Sequence, residues 1–182
     1  MSLIGVNSTP VVRPRRVVDA QPPAAVNQVT GRRGVIQARK VSLWSGRYDI
    51  LADGAQVGSW EKSGSATGGA LQWEGRRYHV RASLSGGTAS MSAPGGAQIA
   101  RAHDVGRKRW TIDADGVTYA FHRAPPWRQE ERLQVQGRAV GSVRRTSILR
   151  GDTAADLPGL PVPVALFALT LVLTVWDATA AW

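Results

Sequence analysis

The chain has 182 residues, enough for one domain with a sizeable core, and it contains no cysteine. Disulfide bonds, thiol chemistry and zinc sites built on cysteine are therefore excluded. The formal net charge is +10, and such a basic excess favours polyanionic partners, either nucleic acid or anionic lipid headgroups. The first residues contain no apolar block of signal-peptide length, so we expect a cytoplasmic protein.

Residues 1–30 differ from the rest of the chain because they contain four prolines with polar residues between them. Much of the basic excess lies in the same region, since residues 1–46 hold seven basic residues and one acidic residue. Proline-rich, polar composition of this kind is typical of an arm or linker. We therefore predict a basic arm over residues 1–30 and a single domain over residues 31–182.

From about residue 35 the sequence has the pattern of short strands separated by turns. Turn signals such as Asp53-Gly54 and Asp115-Gly116 recur roughly every 10 to 20 residues. Between the turns, apolar and polar residues alternate, as they do from Val117 to His122. This alternation indicates half-buried antiparallel strands, and about twelve of them fit between Val11 and Arg145.

A long apolar run near the carboxyl terminus, Leu157 to Trp176, contains no charged residue before Asp177. Three prolines break the first part of the run, so we predict a helix over residues 162–176, about 21 Å long. That length is shorter than the roughly 30 Å of hydrocarbon in a bilayer. The helix is apolar on every side, and it must therefore be surrounded by apolar side chains. A barrel of about twelve strands has a lumen that such a helix can fill.

These patterns together predict a mainly β protein. The expected architecture is a closed antiparallel barrel of about twelve strands around a buried, hydrophobic carboxyl-terminal helix. The alternative is a tail-anchored membrane protein in which helix 162–176 leaves the barrel and inserts in the bilayer.

The pattern resembles the tubby C-terminal-like fold, which tubby proteins, phospholipid scramblases and LURP-one-related proteins share. The resemblance is carried by the hairpins from Arg47 to Arg145, by residues 151–158 and by the helix Val162–Trp176. Members of this superfamily build a twelve-stranded barrel around a hydrophobic carboxyl-terminal helix. The resemblance implies a non-enzymatic module, since tubby domains bind phosphoinositides and scramblases act on bilayers.

The resemblance also raises the question of calcium, because the calcium-binding stretch suggested for scramblases lies just before their terminal helix. Asp152 and Asp156 lie in that stretch here. Calcium takes about six to eight oxygen ligands, and two carboxylates fall well short of that number. We therefore expect these to be solvated loop residues without a metal.

The sequence offers no set of residues typical of an enzyme. The three histidines, His79, His103 and His122, share no metal-ligand spacing, and no cysteine supports them. The glycine-rich segments lack the Gly-Lys-Ser/Thr ending of a phosphate-binding loop, so they are interpreted as turns. We therefore expect no catalysis, no metal and no cofactor.

Basic clusters at predicted turns and strand starts form the candidate site. Arginine pairs bidentately with phosphate, and tryptophan favours the boundary between water and hydrocarbon. The clusters are Arg76-Arg77, Arg107-Lys108-Arg109 and Arg144-Arg145, and Trp73, Trp110 and Trp127 lie near them in the sequence, although these tryptophans could instead pack inward. The predicted function is binding or scaffolding at the headgroups of anionic phospholipids, peripheral at a membrane; a nucleic-acid-binding or protein-binding barrel is the alternative. The candidate contact residues are Arg107, Lys108, Arg109, Arg144 and Arg145.

Overall fold

The structure, a computed structural model, describes residues 34–42, 45–63, 68–147 and 149–179. The predicted arm over residues 1–30 lies outside the described residues. The described part contains twelve β-strands, one α-helix and one short 3-10 helix, Pro126–Arg128.

The twelve strands form one closed antiparallel barrel, as predicted. Each strand pairs with its neighbours in the chain, and the last strand pairs with the first. The strands are β1 (Ile36–Lys40), β2 (Arg47–Ala52), β3 (Ala55–Lys62), β4 (Gly68–Trp73), β5 (Arg76–Ser83), β6 (Thr88–Ser92), β7 (Gln98–His103), β8 (Arg109–Ala114), β9 (Val117–Arg123), β10 (Glu130–Val135), β11 (Arg138–Arg145) and β12 (Thr153–Asp156).

The span of the strands differs from the prediction, although their number agrees. The predicted span began at Val11, which lies outside the described residues, and ended at Arg145, whereas the barrel ends with β12. The sequence pattern misses β12 because Thr-Ala-Ala-Asp has no alternation of large apolar and polar side chains. This short strand pairs with β1 on one side and β11 on the other, and it thereby closes the barrel.

The predicted two-residue turns occur where expected and have the geometry that tight hairpins need. Asp53 and Gly54 have φ angles of 51° and 81°, and Asp115 and Gly116 have φ angles of 50° and 75°. Positive φ at both central positions matches the twist of the flanking strands, and this requirement explains the recurring acidic residue followed by glycine.

The helix α1 (Val162–Thr179) fills the barrel and continues past the predicted end at residue 176. All residues from Val164 to Trp176 are buried, and the inward side chains of the strands pack around them. The two polar residues in this buried stretch, Thr170 and Thr174, donate their hydroxyl hydrogens to carbonyls of the preceding turn at 2.8 Å. The hydroxyl groups of these two threonines are therefore satisfied within the helix.

By length and composition, α1 is the one helix in the described ranges that could cross a membrane. The structure instead buries 72% of it inside the protein. The core helix of a barrel and a membrane-spanning helix are both apolar on all sides, because both are surrounded by apolar groups. Length and composition alone therefore do not distinguish them.

Candidate functional site

The connections between strands alternate between the two ends of the barrel, because every pair of neighbouring strands is antiparallel. Asp177, near the carboxyl end of α1, contacts residues at the ends of β1, β2 and β3. This places one set of connections around the carboxyl end of α1, and we call its described residues the basic end: 41–42, 45–46, 63, 84–87, 104–108, 124–129, 146–147 and 149–152. The other set is the acidic end: residues 53–54, 74–75, 93–97, 115–116, 136–137 and 157–161.

The two ends carry opposite charge. The connections of the acidic end contain three acidic residues, Asp53, Glu74 and Asp115, and no basic residue. The strand residues directly beside these connections add Arg76, Arg138 and Asp156, so this end remains net acidic. The connections of the basic end contain two acidic residues, Asp104 and Asp152, and four basic residues, Arg107, Lys108, Arg128 and Arg150. An anionic surface attracts one end of such a molecule and repels the other, so the charge distribution orients the barrel.

Two of the five predicted contact residues, Arg107 and Lys108, lie in the connections of the basic end. The other three, Arg109, Arg144 and Arg145, are strand residues directly beside those connections. Four of the five, Arg107, Lys108, Arg109 and Arg144, are exposed to solvent. Arg107 Nε lies 3.4 Å from Asp104 Oδ1, but both side chains are largely exposed, and such a surface pair contributes little to stability. These four residues therefore remain accessible to an anionic partner.

Arg145 differs from the other four residues because it has an internal contact. Its guanidinium carbon lies 5.2 Å from the centre of the Trp176 ring, a cation–π arrangement. Its Nε atom is buried and has no hydrogen-bond partner in the described part of the chain. A positive charge near the carboxyl end of α1 also offsets the partial negative charge of the helix dipole. Arg145 thus supports the helix as well as lying beside the connections of the basic end.

The three tryptophans that lie near basic clusters in the sequence have different positions in the barrel. Trp73 and Trp110 are buried, and Trp110 stacks on Phe121 and donates its Nε1 hydrogen to Glu131 Oε2 at 3.0 Å. Trp127 lies in the short 3-10 helix between β9 and β10, with 81% of its surface exposed. A signal for this difference is present in the sequence, because Trp127 follows two prolines and lies outside any alternating stretch.

A polar cluster at the basic end holds the carboxyl end of α1 against three strands. The Tyr48 hydroxyl donates to the Asp177 carboxylate, with distances of 2.9 and 3.0 Å to its two oxygens. Lys40 Nζ lies 3.3 Å from Asp177 Oδ1, and Lys62 Nζ lies 3.2 Å from Asp177 Oδ2. We call these four residues the Asp177 cluster. The sequence does not reveal this cluster, because Lys40, Tyr48 and Lys62 lie on three different strands and Asp177 is far from all three in the chain. The strand register and the position of the helix bring them together.

Because of the Asp177 cluster, we expect the protein to lose stability at alkaline pH. Burial first, and then the charge and hydrogen bond of Asp177, raise the pKa of Tyr48 well above its ordinary value near 10. In the unfolded chain Tyr48 ionises near pH 10, while the folded state keeps it neutral. Its contribution to stability is therefore complete below about pH 10 and is lost as the pH rises above that value, by about 1.4 kcal/mol per unit.

We expect a Tyr48→Phe variant to lose stability less steeply above pH 10 than the wild type. The measurement is the free energy of unfolding in urea at several pH values between about 8 and 11.5, and the slopes above pH 10 are compared. The variant loses the hydroxyl hydrogen bond at every pH, so only the slope is informative. Parallel curves for the two proteins would contradict the raised pKa of Tyr48.

A second basic surface lies on the outer wall of the barrel, in an open groove of about 1010 Å³ over β3 to β7. Arg81 on β5 and Arg101 on β7 flank Ser90 on β6 in direct register, with a Cα separation of about 10 Å. Arg77 and the exposed His79 also line the groove, and Glu61 is its one acidic lining residue among those described. The three arginines form no ion pair within the described ranges. Arg77 belongs to the sequence cluster Arg76-Arg77, whereas Arg81 and Arg101 belong to no cluster in the sequence.

The remaining polar candidates do not form a site. His103 Nε2 lies 3.3 Å from Asp113 Oδ2 on the neighbouring strand, and no group of three metal-ligating acids or histidines occurs among the described residues. Asp152 precedes β12 and Asp156 ends it, so their Cα atoms are about 13 Å apart at 3.3 Å per residue. These two carboxylates cannot hold one cation together.

No protein-family model matches the chain, and no curated protein or solved structure matches it either. Its function must therefore be inferred from the charges, the exposed side chains and the two basic surfaces described above.

Proposed function

We propose that this protein is a non-enzymatic, tubby-like module that binds anionic phospholipid headgroups, with the basic end of its barrel facing the membrane surface. The observation that carries this proposal is the opposite charge of the two ends. A membrane with anionic lipids attracts the basic end and repels the acidic end, and it therefore selects one orientation.

The exposed basic residues supply enough attraction for peripheral binding. A basic side chain close to an anionic bilayer contributes about 1 kcal/mol, within a Debye length of about 8 Å at physiological salt. Arg107, Lys108, Arg109 and Arg144 are exposed, so together they account for about 4 kcal/mol, or roughly a thousand-fold in affinity.

The alternative of a tail anchor has less support. If α1 left the barrel, the buried stretch Val164–Trp176 would leave the core, and the inward faces of the strands would lose their packing partner. Insertion in a bilayer would have to compensate for this loss across the whole barrel. Nucleic acid is the competing polyanion, and binding to a single-stranded oligonucleotide is the measurement that tests it.

We expect the protein to co-sediment with vesicles of phosphatidylcholine that contain phosphatidylserine or phosphoinositide, and not with pure phosphatidylcholine. Binding should weaken as salt is raised, because exposed charges are screened. A variant with Arg107, Lys108, Arg109 and Arg144 replaced by alanine should bind the anionic vesicles about a thousand-fold more weakly.

A matched control removes the same amount of charge elsewhere. The control variant carries alanine at Arg76, Arg77, Arg81 and Arg101, which are exposed and lie outside the basic end. It should keep most of the wild-type affinity, and both variants should show wild-type thermal unfolding. A loss confined to the control variant would assign headgroup binding to the wall groove, and a wild type that binds no anionic vesicle would contradict the proposed function.

A further inference from the structure

Two exposed apolar side chains lie among the charges of the basic end. Trp127 and Leu149 have 81% and 88% of their surfaces exposed, more than any other large hydrophobic residue in the described part of the chain. The other four tryptophans there are buried in the barrel. An indole and an isobutyl group in water forgo a large favourable transfer free energy, which a partner that covered them would gain.

The two side chains lie on neighbouring connections. Trp127 is in the connection between β9 and β10, and Leu149 is in the connection between β11 and β12. The strands β10 and β11 pair directly, and a backbone hydrogen bond from Arg145 N to Gln129 O, 3.2 Å long, joins the first connection to the end of β11. Both apolar residues therefore lie on adjacent connections of the basic end.

Hydrogen bonds within each connection hold these tips in place. In the first, Arg128 N donates to Pro125 O at 2.9 Å, which closes the 3-10 turn that contains Trp127. In the second, Gly151 N donates to Ser147 O at 2.9 Å and Arg150 N donates to Ser147 Oγ at 3.2 Å. Backbone hydrogen bonds of this kind reduce the conformational entropy that the loops lose on binding, so the ordering cost falls mainly on the two side chains.

An exposed arginine follows each apolar residue in the chain: Arg128 after Trp127, and Arg150 after Leu149. An apolar tip beside a cationic group matches the interface of an anionic bilayer, where acyl chains lie just below charged headgroups. A single-stranded nucleic acid could stack a base on Trp127, but it offers nothing apolar to Leu149. The leucine therefore distinguishes a bilayer from a soluble polyanion.

We propose that the partner of the basic end is a bilayer, and that Trp127 and Leu149 enter its interfacial region while the surrounding arginines contact headgroups. This inference rests on the proposed function and makes it more specific, because it adds an apolar contribution to binding that salt does not screen.

The test compares the wild type with a Trp127→Ala/Leu149→Ala double variant on vesicles of phosphatidylcholine and phosphatidylserine, at physiological salt and at 1 M salt. The expected result is binding about ten- to a hundred-fold weaker for the double variant at physiological salt. At about 1 M salt, where the Debye length is about 3 Å, the wild type should retain residual binding and the double variant should have none. Lipids brominated on their acyl chains should quench tryptophan fluorescence in the wild type and do so less in a Trp127→Phe variant.

Two controls make the result specific. A Val117→Ala/Val135→Ala variant removes two half-exposed apolar side chains near the acidic end and should bind like the wild type. A single-stranded oligonucleotide is the soluble polyanion, and Leu149→Ala should leave its binding unchanged. If the double variant binds vesicles as tightly as the wild type at both salt concentrations, with equal quenching by brominated lipids, the insertion is contradicted while the headgroup function stands. If the wild type binds no anionic vesicle, both proposals are overturned.

Discussion

Replacement of Leu169 by aspartate is expected to abolish folding. Leu169 lies in the middle of α1 and is fully buried, and it is surrounded by the apolar core of the barrel. An unpaired carboxylate there costs several kcal/mol or more, comparable to the whole free energy of unfolding of a domain, about 5–15 kcal/mol. The measurement is circular dichroism during thermal and urea unfolding, together with size-exclusion chromatography.

The matched control is Leu149→Asp, which makes the same chemical change at a side chain that is 88% exposed. A substitution of this kind on the surface usually changes stability by less than about 0.5 kcal/mol, so this variant should unfold like the wild type. A monomeric Leu169→Asp variant with a cooperative, wild-type unfolding transition would show that α1 is not the core, and it would favour the tail-anchored alternative.

The barrel could be predicted because two local signals point to it independently. The alternation along the strands has a period of two, and the turns place glycine after an acidic residue where positive φ is needed. The apolar run before Asp177 forms a helix that must pack against apolar side chains on all sides, and a closed sheet of the same chain supplies them. Only β12 falls outside this reasoning, since its alanines have no amphipathic pattern and its place is set by pairing with β1 and β11.

The site could be predicted only in part because strand register is not visible in the sequence. Runs such as Arg107-Lys108-Arg109 are visible, and turn positions indicate that they lie at one end of the barrel. Arg81 and Arg101 each lie singly on the polar face of a strand, and only the pairing of β5, β6 and β7 brings them together beside Ser90. The exposure of Leu149 is also not visible in the sequence, because it depends on the conformation of the connection between β11 and β12.

The basic residues near the carboxyl end of α1 divide into two groups by what they contact. Lys40, Lys62 and Arg145 are partly buried and contact Asp177 or Trp176 of the helix. Arg128, Arg144 and Arg150 are exposed. The first group fixes the helix to the wall, and the second is accessible to a partner, so the two roles can be separated by mutation.

The replacement of Asp177 by alanine is expected to destabilise the protein by about 2–4 kcal/mol. The change leaves the ammonium groups of Lys40 and Lys62 without their shared carboxylate, and both side chains are less than one-fifth exposed. Breaking a fully buried ion pair costs about 3–5 kcal/mol, and the expected value is lower because both lysines can still reach water. For a domain of this size the melting temperature should fall by roughly 5–15 °C, measured by calorimetry.

Two further variants show whether the loss comes from the Asp177 cluster. Asp113→Ala removes a carboxylate from the half-exposed pair with His103 on the barrel wall, so it should cost less than about 1 kcal/mol. Tyr48→Phe should cost less in the Asp177→Ala background than in the wild type, because the Tyr48 hydroxyl has then already lost its acceptor. Additive losses in the double variant would mean that the Tyr48–Asp177 hydrogen bond contributes nothing to stability. An Asp177→Ala protein as stable as the wild type would mean that α1 is held by its apolar packing alone.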